Sequence, residues 1–290
     1  MDSASKFSSR FSLVHPALLF TIMISLLIGA ESLASVLVAP TVVFLSDKDK
    51  TGRMTIQNPT DKPKEVSIYI SWGLPTSDSA GNIQVILKDS GVTDPHSAKD
   101  WVKPFPSKMI LGANSSQVVR FRANPPGNLP DGEYWARIVV KAQEGEMNLP
   151  VPSSQDKITT KLNMITQTAI MLKYRTGNLV SKLELVNAEA RRTDEEVVVT
   201  ASFENKGNVS YVGVLRCRLM DNDGNLIAED KLDLAVYYSL TRKVTLPLKE
   251  NHAGKPLRVE LAVSTSGRTD ISDQDLIPGN SLERSLAVNQ

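Results

Sequence analysis

The stretch at residues 162–177, LNMITQTAIMLKYRTG, constrains the fold more than any other in the chain. Alternate positions run Leu162, Met164, Thr166, Thr168, Ile170, Leu172 and Tyr174 against Asn163, Ile165, Gln167, Ala169, Met171 and Lys173. A period of two over this length predicts a β-strand with one face more apolar than the other. It is about twice the usual strand length, so its two ends are expected to serve different purposes. The first end follows a polar, Pro-containing loop and reads as an edge. The second end, Tyr174-Arg175-Thr176-Gly177, reads as the start of a linker. A long edge is a liability unless it is covered or pairs with another chain.

The rest of the chain breaks into short alternating runs separated by turn residues. Residues 36–45 form one such run, interrupted by Pro40, which suits an edge or sheet-switching strand. Residues 53–57 end at the turn cluster Asn58-Pro59-Thr60-Asp61. Further strands are expected at 65–72, 83–87, 109–111, 117–122 and 133–142. The polar loop 141–161, with Pro150 and Pro152, joins the last of these to the long strand as an extended hairpin. A second set follows at 182–186, 197–203, 211–220, 226–234, 242–248 and 257–263. No run in residues 35–290 has helical length and amphipathicity. The pattern predicts an all-β protein of two β-sandwich domains in tandem, at 35–176 and 177–266, with a disordered polar tail at 267–290.

Residues 1–34 read as a targeting segment. Lys6 and Arg10 precede an apolar run at 17–30, and Ser32-Leu33-Ala34 offers a small-x-small cleavage site. The mature protein is then expected to be soluble and exported; an uncleaved anchor is the alternative. One cysteine in 290 residues leaves an exported chain without an internal disulfide. Cys217 shares a strand face with Leu215 and Leu219, so it reads as a core thiol. A net charge of +1 gives no reason to expect nucleic acid.

Catalytic chemistry is thin. His15 belongs to the leader, while His96 and His252 sit in polar segments that read as surface loops, and no G-x-S-x-G motif is present. Asp221, Asp223 and Asn225 around Gly224 suggest half a calcium loop. However, Leu232 stands where the twelfth-position glutamate belongs, and a hairpin turn explains the same residues. No phosphate-binding glycine loop occurs. The chain is therefore expected not to be an enzyme, and to use no cofactor, metal or small-molecule substrate.

Five segments, in order, resemble the periplasmic pilus-chaperone (PapD-like) family. They are VVF at 42–44, RMTIQNPTDKP at 53–63, KMILGANSSQVVRFRA at 108–123, LPDGEYWARIVV at 129–140 and QTAIMLKYRTG at 167–177. The resemblance implies two immunoglobulin-like domains, and a last strand of the first domain that is lent to a pilin-like client. Ile158, Leu162, Met164 and Thr166 would be the client-facing positions, and an outer-membrane usher would be a further partner. The family also holds its client's terminal carboxylate with an arginine on the first strand and a lysine on the last. Thr41 and Met171 occupy those positions here; Arg53, Lys173 and Arg175 are nearby in sequence, Lys173 two residues along on the face of Met171, and Lys173 and Arg175 are the candidate anchors. The alternative is a structural or interaction protein of the cell envelope that keeps the fold without chaperoning.

Overall fold

The computed structural model describes residues 36–78, 80–144, 164–248 and 255–289. The expected leader, His15, His252 and the client-facing positions Ile158 and Leu162 lie outside the described residues. Among those described, the protein is all-β, as the alternation predicts.

The first sandwich begins with β1 (Leu37–Ala39), β2 (Val42–Ser46), β3 (Thr51–Gln57) and β4 (Lys64–Ser71). A small hairpin follows, β5 (Pro75–Ser77) with β6 (Ile83–Val85). A single 3-10 turn, Lys99–Trp101, leads into β7 (Val102–Phe105), β8 (Lys108–Leu111) and β9 (Ser116–Ala123). The long hairpin is β10 (Gly132–Glu144) and β11 (Ile165–Thr176). One sheet has the order β1-β3-β9-β7 and the other β2-β11-β10-β4-β8. Pro40 stands between β1 and β2, and the chain changes sheets there: β1 pairs with β3, whereas β2 runs parallel to β11. Met54, Ile56 and Phe121 of one sheet meet Ile68, Ile138 and Leu172 of the other in a shared core.

The turn after β3 is built on Asn58, whose side chain is fully buried. Its Nδ2 donates to the carbonyls of Lys62 (2.7 Å) and Gly112 (2.9 Å), and its Oδ1 accepts from the Thr60 amide (3.1 Å). One amide thus ties the turn to the strand end of β8, where a hydrocarbon side chain would leave those groups unsatisfied. At the exit of β11, Gly177 has φ +65, and a β-carbon there would overlap the Asp131 carboxylate. Glycine meets both demands, which is why the strand stops where the sequence shows Thr-Gly.

The second sandwich comprises β12 (Leu183–Arg192), β13 (Glu196–Asn205), β14 (Tyr211–Asp221) and β15 (Leu226–Val236). It continues with β16 (Ser239–Pro247), β17 (Leu257–Ser264) and β18 (Leu282–Asn289). Their order is β15-β14-β17-β18-β12-β13-β16, and the sheet folds around one core that includes Val199, Phe203, Leu215 and Leu261. Cys217 lies in that core, and burial pushes its thiol up to about 12. Asp221 to Asn225 form the β14–β15 hairpin turn, with the Asp221 carboxylate accepting from the amides of Asp223 (2.9 Å) and Asn225 (2.8 Å).

The tail is a correction. Residues 282–289 are not disordered but form β18, antiparallel to β17 from Leu282↔Val263 to Ala287↔Arg258, and parallel to β12 at Ala190 and Arg191. Leu282, Leu286 and Val288 pack on the second core. Only three apolar residues point inward, and Arg284 interrupts their alternation, so the segment looks polar although it is part of the sheet.

Asn58→Ala should lower unfolding stability by about 3 kcal/mol in urea titration, because several buried backbone groups lose their partner. Truncation after Gly279 should cost about 3 kcal/mol or more and increase dye binding to exposed apolar surface. An unchanged melt would show that β18 is dispensable.

Candidate strand-docking edge

β11 is paired along its whole length with β10, from Ile165↔Gln143 to Thr176↔Gly132. On its other flank β2 covers only Met171 to Arg175. Among the described residues no second strand lies along the flank of β11 from Ile165 to Ile170. The long strand therefore has two ends with different tasks, one closed into the sheet and one presented at its edge.

Side-chain parity follows the sequence reading. Ile170, Leu172 and Tyr174 point into the first core, Thr166 and Thr168 on the same face are half-buried, and Met164, just before the strand, is 48% exposed. The Thr166 hydroxyl donates to the Ala142 carbonyl (3.3 Å). Burial thus declines along one face toward the uncovered end, where Met164 offers apolar surface beside an open strand flank. Of the four positions named from the resemblance, the structure places Met164 and Thr166 together at this end.

The opposite face of β11 meets the second sandwich. Met171 packs with Trp72, Trp135 and Tyr237, and two residues on, Lys173 is buried to 2%. Lys173 Nζ lies 3.2 Å from Glu133 Oε1 and 2.5 Å from the Ser210 hydroxyl. Arg175 Nε lies 2.8 Å from Glu133 Oε2, Nη1 donates to the Asp275 carbonyl (2.6 Å), and the guanidinium covers the Phe44 ring at 4.4 Å. Glu133 is itself fully buried and also accepts from Trp135 Nε1 (2.7 Å).

These contacts occupy both Lys173 and Arg175, the candidate anchors for a client carboxylate. Both already hold a carboxylate of their own chain, and Lys173 is closed off from solvent. Thr41 is exposed and Met171 is buried against aromatic rings, so neither position supplies a substitute charge. Glu133 and Ser210 were missed by sequence reasoning. The only signal was a lone carboxylate beginning a strand, EYWARIVV, that is otherwise mostly apolar. His96 is also more than a surface loop residue. It stacks on Trp135 at 5.1 Å, and its Nδ1 lies 2.9 Å from the Tyr238 hydroxyl of the second sandwich.

Burial by itself would raise the Glu133 carboxyl. The charges of Lys173 and Arg175, with hydrogen bonds from Ser210 and Trp135, outweigh it and hold the group at about 2. Burial pulls the Lys173 ammonium below its ordinary value, against the attraction of Glu133. Among the described residues no helix is long and apolar enough to cross a membrane.

No family model matches the chain, and no curated protein matches it in sequence. Among solved structures it is similar to the YadV chaperone, at 14% identity over 88% of this chain and 100% of that one, with a TM-score of 0.45. It is similar to the E. coli chaperone DraB at 16% identity over 87% and 96%, with a TM-score of 0.41. Similarity to the Salmonella enterica SafA pilin in complex with the SafB chaperone stands at 15% over 88% and 98%, TM-score 0.41.

The Glu133 carboxyl is depressed in the folded state, so its contribution to stability is present above pH 4.5 and is lost as the pH falls from there toward 2. That contribution amounts to about 3 kcal/mol. Glu133→Gln should flatten the acid limb of the stability profile while lowering stability at pH 7, because Lys173 and Arg175 lose their counter-charge. Urea titrations of both proteins across this pH range check it; parallel acid limbs would rule it out.

Proposed function

We propose that this chain is an exported, chaperone-like protein that binds a β-rich, pilin-like client by strand addition along the uncovered flank of β11. One observation carries the reading: β11 continues from Met171 back to Ile165 beyond the reach of β2, with backbone pairing on one side only among the described residues. A partner strand laid there would complete a ladder of main-chain hydrogen bonds, while alternate side chains set specificity. Met164 would project toward the client from the open end, as would Ile158 and Leu162 beyond it, with Thr166 the weakest plug of the four. The periplasm and an outer-membrane usher complete this proposal, as do a first domain at 35–176 and a second that begins at 177 and is extended beyond 266 to take in β18.

A second reading, a structural or interaction protein of the envelope, is favoured by one feature. The cations nearest the expected anchor are spent on Glu133, and Thr41 and Met171 replace the usual pair. Under this reading the flank of β11 is blunted by the chain's own 141–161 loop, which should then resist limited proteolysis.

The strand-addition reading is tested by co-expression with a pilin-like subunit that lacks its last strand. Leu162→Asp with Met164→Asp should cut co-purification of the subunit at least about tenfold, the equivalent of roughly 1.4 kcal/mol. The thermal midpoint should stay nearly unchanged, since Met164 lies at an exposed strand end. Undiminished capture would mean that this flank does not bind the client.

A further inference from the structure

The outer face of the β1-β3-β9-β7 sheet carries a charge pattern unlike that of the other faces. Arg53 stands directly opposite Arg120, and Arg122 directly opposite Lys103. All four side chains are exposed, and none has an ion-pair or hydrogen-bond partner among the described residues. The four strands contain no Asp or Glu at all. Like charges placed directly across a strand pair destabilise a sheet. The second sandwich handles the same residue types differently: Arg216, Arg218 and Lys231 sit around Glu229, and Arg258 sits on Glu260. The strands of this one face thus carry cations without acids, and the carboxylates nearest them, Asp49, Asp270 and Asp275, line the pocket at its margin together with Arg53 and Arg120.

Exposed apolar side chains share it. Phe105 is 77% exposed and lies opposite Arg120, while Leu37 is 53% and Val118 43% exposed on the neighbouring strands. Sheet side chains stand out from a broad surface, so cations and apolar groups present themselves together to whatever lies against it. Pro104 in the outermost strand removes an N–H from that strand, which makes this edge a poor one for adding a strand from a protein partner.

We propose that this face docks the protein on an anionic lipid surface, with the four cations on headgroup phosphates and Phe105 inserted at the interface. Interleaved basic and apolar side chains are the combination that favours the headgroup region over water. The site is separate from the flank of β11 and does not rest on strand addition there.

The experiment is flotation of the full chain with phosphatidylcholine vesicles, with and without phosphatidylglycerol. The readout is the ratio of binding to the two vesicle types, since any apolar contribution of residues 17–30 enters both. Wild type should prefer the anionic vesicles, and the preference should fall as salt rises above about 0.15 M. Arg120→Glu with Arg122→Glu should reduce the ratio roughly thirtyfold or more, from about fivefold per cation removed. Arg53→Gln with Lys103→Gln serves as a second variant that touches no buried group and should reduce it in the same direction. Phe105→Ser should weaken binding to anionic vesicles without abolishing the preference. Equal binding of wild type to both vesicle types, or an unchanged ratio in both charge variants, would overturn the proposal and leave an acidic protein surface as the occupant to seek.

Discussion

A carboxylate buried without solvent is the constraint around which this molecule is arranged. Taking Glu133 out of water costs several kcal/mol that only close, well-oriented cations and donors can offset. Its partners come from three places: Lys173 and Arg175 on the neighbouring strand, Trp135 on its own strand, and Ser210 just before β14 of the second sandwich. The Asp275 carbonyl, in the loop before β18, holds the far side of Arg175. Removing Lys173 or Arg175 leaves charge under-compensated in the interior, and removing Trp135 or Ser210 costs the carboxylate a donor, so the contact between the sandwiches is specified rather than merely sticky. Around it, Trp72, Trp135, Met171 and Tyr237 exclude water, and a lower local dielectric strengthens the polar contacts.

This arrangement also determines what β11 can offer. Its second half is held by β10, β2, the core and the Glu133 network, which together fix its direction and register. The first half inherits that direction but has a strand on one side only among the described residues. A rigid rail is what strand addition requires, because an edge that is already extended and aligned loses little entropy when a partner pairs with it. An edge of this length would ordinarily invite aggregation. Here the residues at its open end are mixed, with Gln167 and Thr168 between Ile165 and Ile170. The rail therefore stays unattractive to a flat apolar surface while keeping its main-chain pairing capacity.

How much of this was legible in the sequence follows from the range of the interactions. Alternation is local, so the long strand, the all-β class and the turn at Asn58 could be read directly. Pro40 likewise announced a sheet switch through its missing N–H. Parity even placed Lys173 on the face of Met171, and that face is the one turned to the second sandwich. What parity could not show was the partner: Glu133 lies 42 residues from Arg175 and 77 from Ser210. An unpaired lysine and a salt-bridged one look alike in a sequence. The strand β18 was hidden for a different reason. Its inward positions are Leu282, Arg284, Leu286 and Val288, so one charge breaks the alternation, and the polar segment before it hides the start.

The two sandwiches differ in how they dispose of their edges. In the second, β18 bridges β17 and β12 and draws seven strands around one core. The hairpin of β5 and β6 adds a contact at the edge strand β16, where the Thr241 amide donates to the Ser77 hydroxyl (2.9 Å). Among the described residues the first sandwich makes no comparable closure. Pro40 sends β1 to one sheet and β2 to the other, and because β2 is short, the switch uncovers part of β11 instead of sealing it. A proline placed three residues later would lengthen β1 and shorten β2 still further. The position of one residue lacking an N–H thus helps set how much of the long strand has a second neighbour among the described residues.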